Sequence, residues 1–229
     1  MRIRASKGFI LAQRVYHRLR AMFLYEMWFP TYSDKIQAMV RWSPDPVRYA
    51  SMALALERVR IEGIPGAIAE VGVYRGDTSR FLHEQAPERK LYLFDTFTGF
   101  PDGNGDHRFR DTGIGIVKSK LRDLNNVEFR AGIFPETTAG LEHEEFSFVL
   151  FDADKYEATM ACLNFFYPRM SPGGCFVLHD FNSAESGWAV ARAMREFMQG
   201  KPESVIEFPD IGGTAMFRKI RGSDPKAGL

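Results

Sequence analysis

Cysteine is scarce in this chain: two residues in 229, Cys162 and Cys175. Neither has a neighbour at metal-ligand spacing, which excludes both a zinc site and a disulfide framework. Reduced, structural thiols in a cytoplasmic protein are the expectation. Excess charge is equally scarce. Thirty Lys and Arg face 29 Asp and Glu, a net charge of +1, so the overall balance calls for no nucleic acid or acidic partner. No apolar run approaches the ~18 residues of a membrane span. No continuous apolar stretch follows the basic start, as a secretory signal requires. There is no internal repeat and no low-complexity tract. Hydrophobic residues at 45% and charged residues at 26% exclude a disordered chain and provide for a sizeable core.

One further absence is local. Residues 1 to 20 contain no acid, against Arg2, Arg4, Lys7, Arg14, Arg18 and Arg20 interleaved with apolar side chains. This basic amphipathic stretch reads as a helical arm packing on the rest of the chain or on a second copy, so a homodimer is expected. Peripheral contact with an anionic membrane surface is the other reading.

From about residue 67, short apolar runs alternate with longer amphipathic stretches, the signature of βαβ units around a mostly parallel sheet. The strand candidates are Ala67–Tyr74, Lys90–Asp95, Val127–Ala131, Phe146–Asp152, Cys175–Asp180, Val205–Phe208 and Thr214–Arg218. Helices are expected from Asp77 or Thr78 as a cap to Gln85, over Ile116–Leu124, over Tyr156–Tyr167, and over Ser183–Met198. Ser171-Pro172-Gly173-Gly174 reads as a break. Residues 209–213 are too few for a crossover helix, so the last two strands form a hairpin. The expected fold is therefore α/β: a Rossmann-like, doubly wound, seven-stranded sheet closed by a C-terminal antiparallel hairpin, the class I methyltransferase plan. Residues 1–62, with a helix over Pro44–Glu62, form a helical N-terminal cover. Residues 63–221 are the cofactor-binding domain, and 222–229 a disordered tail.

Three motifs carry chemistry. Glu70-Val71-Gly72-Val73-Tyr74-Arg75-Gly76 runs off the first strand into a helix, where ligands bind in open α/β sheets. It has too few glycines for a pyrophosphate cradle. A carboxylate with two glycines suits S-adenosylmethionine, which has an ammonium group and no phosphate. Asp95 ends the second strand, where an acid accepts hydrogen bonds from ribose hydroxyls. Asp152 and Asp154 follow the fourth strand, and His179 and Asp180 the fifth. Adjacent parallel strands bring these four together, and carboxylates with an imidazole suit Mg²⁺ or Mn²⁺. Asp180 is alternatively a cap for the helix after it. Gly132 to Thr137, with Phe134, is placed to border the adenine. In the long loop from Thr96 to Gly113, His107 is the candidate for substrate contact.

Glu70 to Gly76, Phe94-Asp95-Thr96-Phe97-Thr98-Gly99-Phe100-Pro101, Phe151 to Thr159 and Tyr167 to Gly174 together resemble the macrocin O-methyltransferase family, whose members methylate sugar hydroxyls. The resemblance runs from about residue 64 to 218. It implies cofactor contacts at Glu70, Gly72 and Asp95, a metal ligand at Asp152, a general base at Asp154, and two more ligands at an acid pair aligned with His179-Asp180. The His in that pair and Lys155 depart from the family pattern.

The expected cofactor contacts are thus Glu70, Gly72, Tyr74, Gly76, Asp95, Thr96, Gly132, Phe134 and Asp152. The expected metal ligands are Asp152, His179 and Asp180. Asp154 is the expected base, with His179 as the reserve. The expected reaction is O-methylation of a small-molecule hydroxyl, of a sugar by the resemblance. An Asp-x-Asp glycosyltransferase and a non-catalytic S-adenosylmethionine-binding protein are the alternatives.

Overall fold

The computed structural model describes residues 15–16, 18–19, 32–100 and 109–220. Most of the basic arm, Asp102, Asp106, His107 and Arg108 of the long loop, and the 222–229 tail lie outside the described residues.

The helices Asp34–Trp42 and Pro46–Ile61 precede the sheet. The second starts where Asp45 caps it, accepting the Arg48 N–H at 3.2 Å, with Pro46 in its first turn. Its Met52, Ala53, Leu56 and Val59 are buried against the sheet. The strands are β1 (Ala67–Val71), β2 (Leu91–Asp95), β3 (Val127–Ala131), β4 (Phe146–Phe151), β5 (Met170–Leu178), β6 (Ile206–Phe208) and β7 (Thr214–Arg218). They form one sheet in the order β3-β2-β1-β4-β5-β7-β6. β1 to β5 are mutually parallel, and β7 inserts antiparallel between β5 and β6.

Alternate side chains of a strand face opposite sides, and here both sides are covered. Ile68, Leu93, Phe148, Leu150 and Val177 pack under the two N-terminal helices and the helices Asp77–Gln85 and Ile114–Lys120. Ala69, Phe94, Val149, Phe151 and Phe176 pack under Tyr156–Phe166 and Ala189–Phe197. Two buried faces explain why Phe148 to Phe151 of β4 and Phe176 to Leu178 of β5 read as continuous apolar runs.

Several expected boundaries move. Neither Asp77 nor Thr78 caps its helix: Gly76 holds the cap position at φ 75°, with no side-chain hydrogen bond. The fourth helix begins at Ala189 rather than Ser183, after turns that end on Trp188 at φ 55°. Ser171 to Gly174 is no break but the irregular start of β5, whose pairing to β4 shifts register between Phe146 and Phe148. The Ile116–Leu124 helix is displaced to Ile114–Lys120.

β1 and β4 lie in close contact at their carboxyl ends. Asp152 N–H donates to the Val71 carbonyl at 2.8 Å. A Cβ on Gly72, whose φ is +94°, would lie 2.0 Å from the Asp152 carbonyl oxygen. Only glycine fits, for steric and conformational reasons together. Gly72→Ala is expected to cost about 3 kcal/mol or more, combining left-handed strain with a backbone clash. Urea denaturation checks this, and a midpoint within error of the wild type would refute the reading.

Candidate active site

The motif residues meet along the carboxyl edge of β2, β1, β4 and β5. Glu70, near the end of β1, is 1% exposed and accepts a hydrogen bond from the Ser79 hydroxyl. Burial pushes its carboxyl up, and the nearby Asp152 and Asp95 charges add to this against Ser79 and Arg48, to about 8. Asp95 binds backbone. Its Oδ2 accepts the Val73 and Tyr74 amides at 2.6 and 2.9 Å, and its Oδ1 accepts the Phe97 amide at 2.6 Å. One carboxylate thus couples the loop after β1 to the loop after β2.

The other expected cofactor contacts fall around this edge. Tyr74 stands at φ 53° and donates its hydroxyl to Asp111 at 2.8 Å, while Arg75 reaches the same carboxylate at 2.7 Å. Thr96 Oγ1 donates to the Gly99 carbonyl at 2.7 Å. Gly132 N–H donates to the Asp95 carbonyl at 3.0 Å, holding the turn after β3 beside β2. The Phe134 ring is packed among Phe94, Phe165 and Phe166, with centroids 5.5 to 5.9 Å away. It therefore belongs to the core as well as to the pocket border.

At the ends of β4 and β5, Asp154 and Asp180 both adopt left-handed backbone, at φ 55° and 53°. Strained non-glycine residues of this kind persist where surrounding structure holds them, and they concentrate at functional sites. The left-handed turn brings the Asp180 carboxylate to His179 Nδ1 at 3.0 Å. His179 Nδ1 also lies 3.2 Å from Asp152 Oδ1. Asp180 therefore does not cap a helix; its carboxylate belongs to the pocket. The β6–β7 loop closes over it, with Phe181 and Asn182 N–H groups donating to the Gly213 and Gly212 carbonyls, each at 2.8 Å.

Sequence reasoning missed three residues. Arg48, 8% exposed, donates from Nη2 to Asp152 Oδ2 at 2.5 Å across 104 residues of chain. Asp45, the helix cap, also accepts the Ile211 N–H at 2.8 Å. Asp210 comes from the hairpin loop. The Asp45-Pro46 pair was a legible helix-start signal, but nothing local marked Arg48 as a pocket residue.

These contacts set the charges. Burial pushes the Asp152 carboxyl up, but Arg48 and then His179 pull harder and leave it well below the ordinary carboxylate range. Burial and Arg48 push the His179 imidazole down, and the Asp152 and Asp180 carboxylates outweigh them, raising it to about 9. Asp180 is lowered: burial opposes this, and the hydrogen bond from His179 prevails. Asp210 is raised by burial and by the adjacent Asp45.

Asp152, His179 and Asp180 each present one atom within 4.8 Å of the others, as do Asp45, His179 and Asp210. The expected metal ligands are therefore together. As arranged, however, they do not fit a divalent cation. Both Asp152 oxygens are engaged, one by a guanidinium. Nδ1 of His179 lies between two carboxylates, so it carries a proton rather than offering a lone pair.

A family model described as Macrocin-O-methyltransferase (TylF) matches residues 46–209. The chain belongs to this family. The match takes in the Pro46–Ile61 helix with Arg48 as well as all four strand ends. One relative of this macrocin O-methyltransferase family member is the 8-demethyl-8-(2,3-dimethoxy-alpha-L-rhamnosyl)-tetracenomycin-C 4'-O-methyltransferase of Streptomyces olivaceus. It is 26% identical, over 58% of this chain and 60% of that one. Another is the Mycinamicin III 3''-O-methyltransferase of Micromonospora griseorubida, 27% identical over 58% and 62%. The chain thus matches about three fifths of the length of these curated relatives. Among solved structures, the O-methyltransferase NovP superposes with a TM-score of 0.67 at 22% identity, covering 90% of this chain and 99% of that one. CalS11, a calicheamicin methyltransferase, gives 0.61 at 19% identity, covering 94% of each. At these identities the likeness attests the fold.

The Glu70 proton has a measurable consequence. The folded state holds it up to about pH 8, whereas the ordinary carboxyl value is 4.5. Between these values the folded state binds more protons, so stability falls as pH rises, by at most about 1.4 kcal/mol per pH unit for one proton. Glu70→Gln, which cannot titrate, is expected to gain stability relative to the wild type from pH 5 to 8 in chemical denaturation. Parallel pH courses for the two proteins would show that Glu70 is ionised when folded.

Proposed function

We propose that this protein transfers the methyl group of S-adenosylmethionine to a hydroxyl of a sugar borne by a small-molecule acceptor. The observation that carries the reading is the convergence of Asp152, Asp154, His179 and Asp180 at two adjacent strand ends, beside the Glu70 and Asp95 edge that suits the cofactor. The sugar rests on family membership and on relatives whose names specify glycosylated acceptors.

The sulfonium methyl is already activated, so the chain's own residues have to orient the acceptor and receive its proton. The acceptor oxygen forms a bond to the methyl carbon as the sulfur–carbon bond breaks, leaving S-adenosylhomocysteine. The hydroxyl proton passes to Asp154, just past the end of β4. Asp95 and the loop it holds after β1 orient the cofactor, and holding the two reactants in line supplies ~7–11 kcal/mol of the barrier reduction. Metal assistance, expected from the acids alone, is not carried into this mechanism because of how Arg48 and His179 engage them.

Among the described residues, no helix is long and apolar enough to cross a membrane. Pairing of two copies through the N-terminal arm, and its contact with an anionic membrane surface, remain proposals from the sequence of that arm. A cytoplasmic setting is proposed from the two free, buried thiols.

The test is S-adenosylhomocysteine release across neutral glycosides, deoxysugar conjugates and catechols, with calorimetric titration of S-adenosylmethionine and of UDP-sugars. Saturable binding of S-adenosylmethionine and turnover with a glycoside are expected. UDP-sugar binding alone would favour the glycosyltransferase. Asp154→Asn should lose about 10²–10⁴-fold in kcat with cofactor affinity unchanged; unaltered turnover would remove Asp154 as the base.

A further inference from the structure

The acids at the ends of β4 and β5 face a physical problem that a divalent cation would ordinarily solve: like charges this close must separate, protonate or be neutralised. In this chain the neutralising groups are visible and are part of the protein. Arg48 reaches Asp152 Oδ2 at 2.5 Å, and His179 Nδ1 lies 3.2 Å from Asp152 Oδ1 and 3.0 Å from Asp180 Oδ2. We propose that Arg48 and His179 together take the place of a divalent cation in this pocket, so that the reaction proceeds without bound metal.

Three observations carry this. A guanidinium cannot be deprotonated in a protein and has no lone pair to offer, so Arg48 can only repel an ion bound to the other Asp152 oxygen. Arg48 is also fixed. Its own N–H is held by Asp45, the next residue, Tyr49, hydrogen-bonds Thr78 at 3.0 Å, and the side chain is buried. Withdrawing it would leave a buried charge without its partner.

Second, separations near 3 Å around Nδ1 also suit neighbouring donors about an ion, so distance alone does not choose. The residue type does. A histidine stands where the family resemblance places an acid, which removes one negative charge from the set that would attract a hard cation. Third, Asp45 and Asp210 meet His179 in the second acidic trio. Asp45 has both oxygens occupied by the Arg48 and Ile211 amides.

The inference rests on the methyl-transfer reading only for the identity of the reaction; the charge balance is tested by metal binding itself. Full-length protein, stripped with EDTA, is titrated with MnCl₂ by calorimetry and by loss of the free Mn²⁺ electron paramagnetic resonance signal, with and without S-adenosylhomocysteine. No saturable binding below about 1 mM is expected. In the turnover assay, EDTA should leave the initial rate within about twofold. His179→Asp and the double variant R48Q/H179D restore a three-carboxylate set, and the double variant is expected to acquire stoichiometric Mn²⁺ binding at least about tenfold tighter than the wild type. Stoichiometric Mn²⁺ binding by the wild type, abolished by Asp180→Asn, would overturn the proposal. The same binding abolished by Asp210→Asn would place an ion on the second trio and also overturn it. Failure of the folded double variant to gain binding would show that Arg48 and His179 do not stand where an ion would.

Discussion

The closeness of β1 and β4 at their carboxyl ends governs what is built on them. At Gly72 the two backbones leave no room for a side chain. The Asp152 amide is bonded straight to the Val71 carbonyl. This contact sets Glu70 and Asp152 on neighbouring strands but in different surroundings. Glu70 is sealed in with a serine hydroxyl and keeps its proton, whereas Asp152 meets a guanidinium and an imidazole and stays ionised. Two acids pushed apart in this way can serve different tasks in one small site.

The pocket's charge is assembled from distant parts of the chain. The first helical turn after Asp45 supplies Arg48, the end of β4 leads into Asp152, the turn after β5 supplies His179 and Asp180, and the hairpin loop presses Gly212 onto Asp180. Taking an arginine–aspartate pair partly out of water adds little net stability, because desolvation offsets most of the attraction. Its effect is specification: the N-terminal helix docks where Arg48 finds Asp152, and the same contact decides what else the carboxylate can bind.

Much of this was legible from residue order. The strand sequence, the closing hairpin and the edge holding Glu70, Gly72, Asp95 and Asp152 followed from apolar runs and from acids placed at their ends. Those signals are local and repeat with fixed period. The start of the Ala189–Phe197 helix, the capping of the Asp77–Gln85 helix by a glycine and the irregular entry to β5 did not follow. In each case tertiary contact overrode a residue preference: left-handed turns hold Trp188 and Gly76, and β4 draws Met170 into the sheet. Phe134 had a plausible reading as a pocket wall, yet the aromatic core also claims it.

The sequence by itself determined which acids sit at which strand ends, because a parallel sheet with short crossovers aligns its carboxyl ends whatever the details of packing. It also determined family membership, through motifs of which three lie at those ends and one, Tyr167 to Gly174, at the entry to β5. Only the tertiary structure decided how the acids are neutralised. That depends on a buried arginine from a helix outside the sheet, and on which nitrogen of His179 turns toward Asp152 and Asp180. Charge interactions act through space with no regard to separation along the chain, so nothing in the order of residues could pair position 48 with position 152.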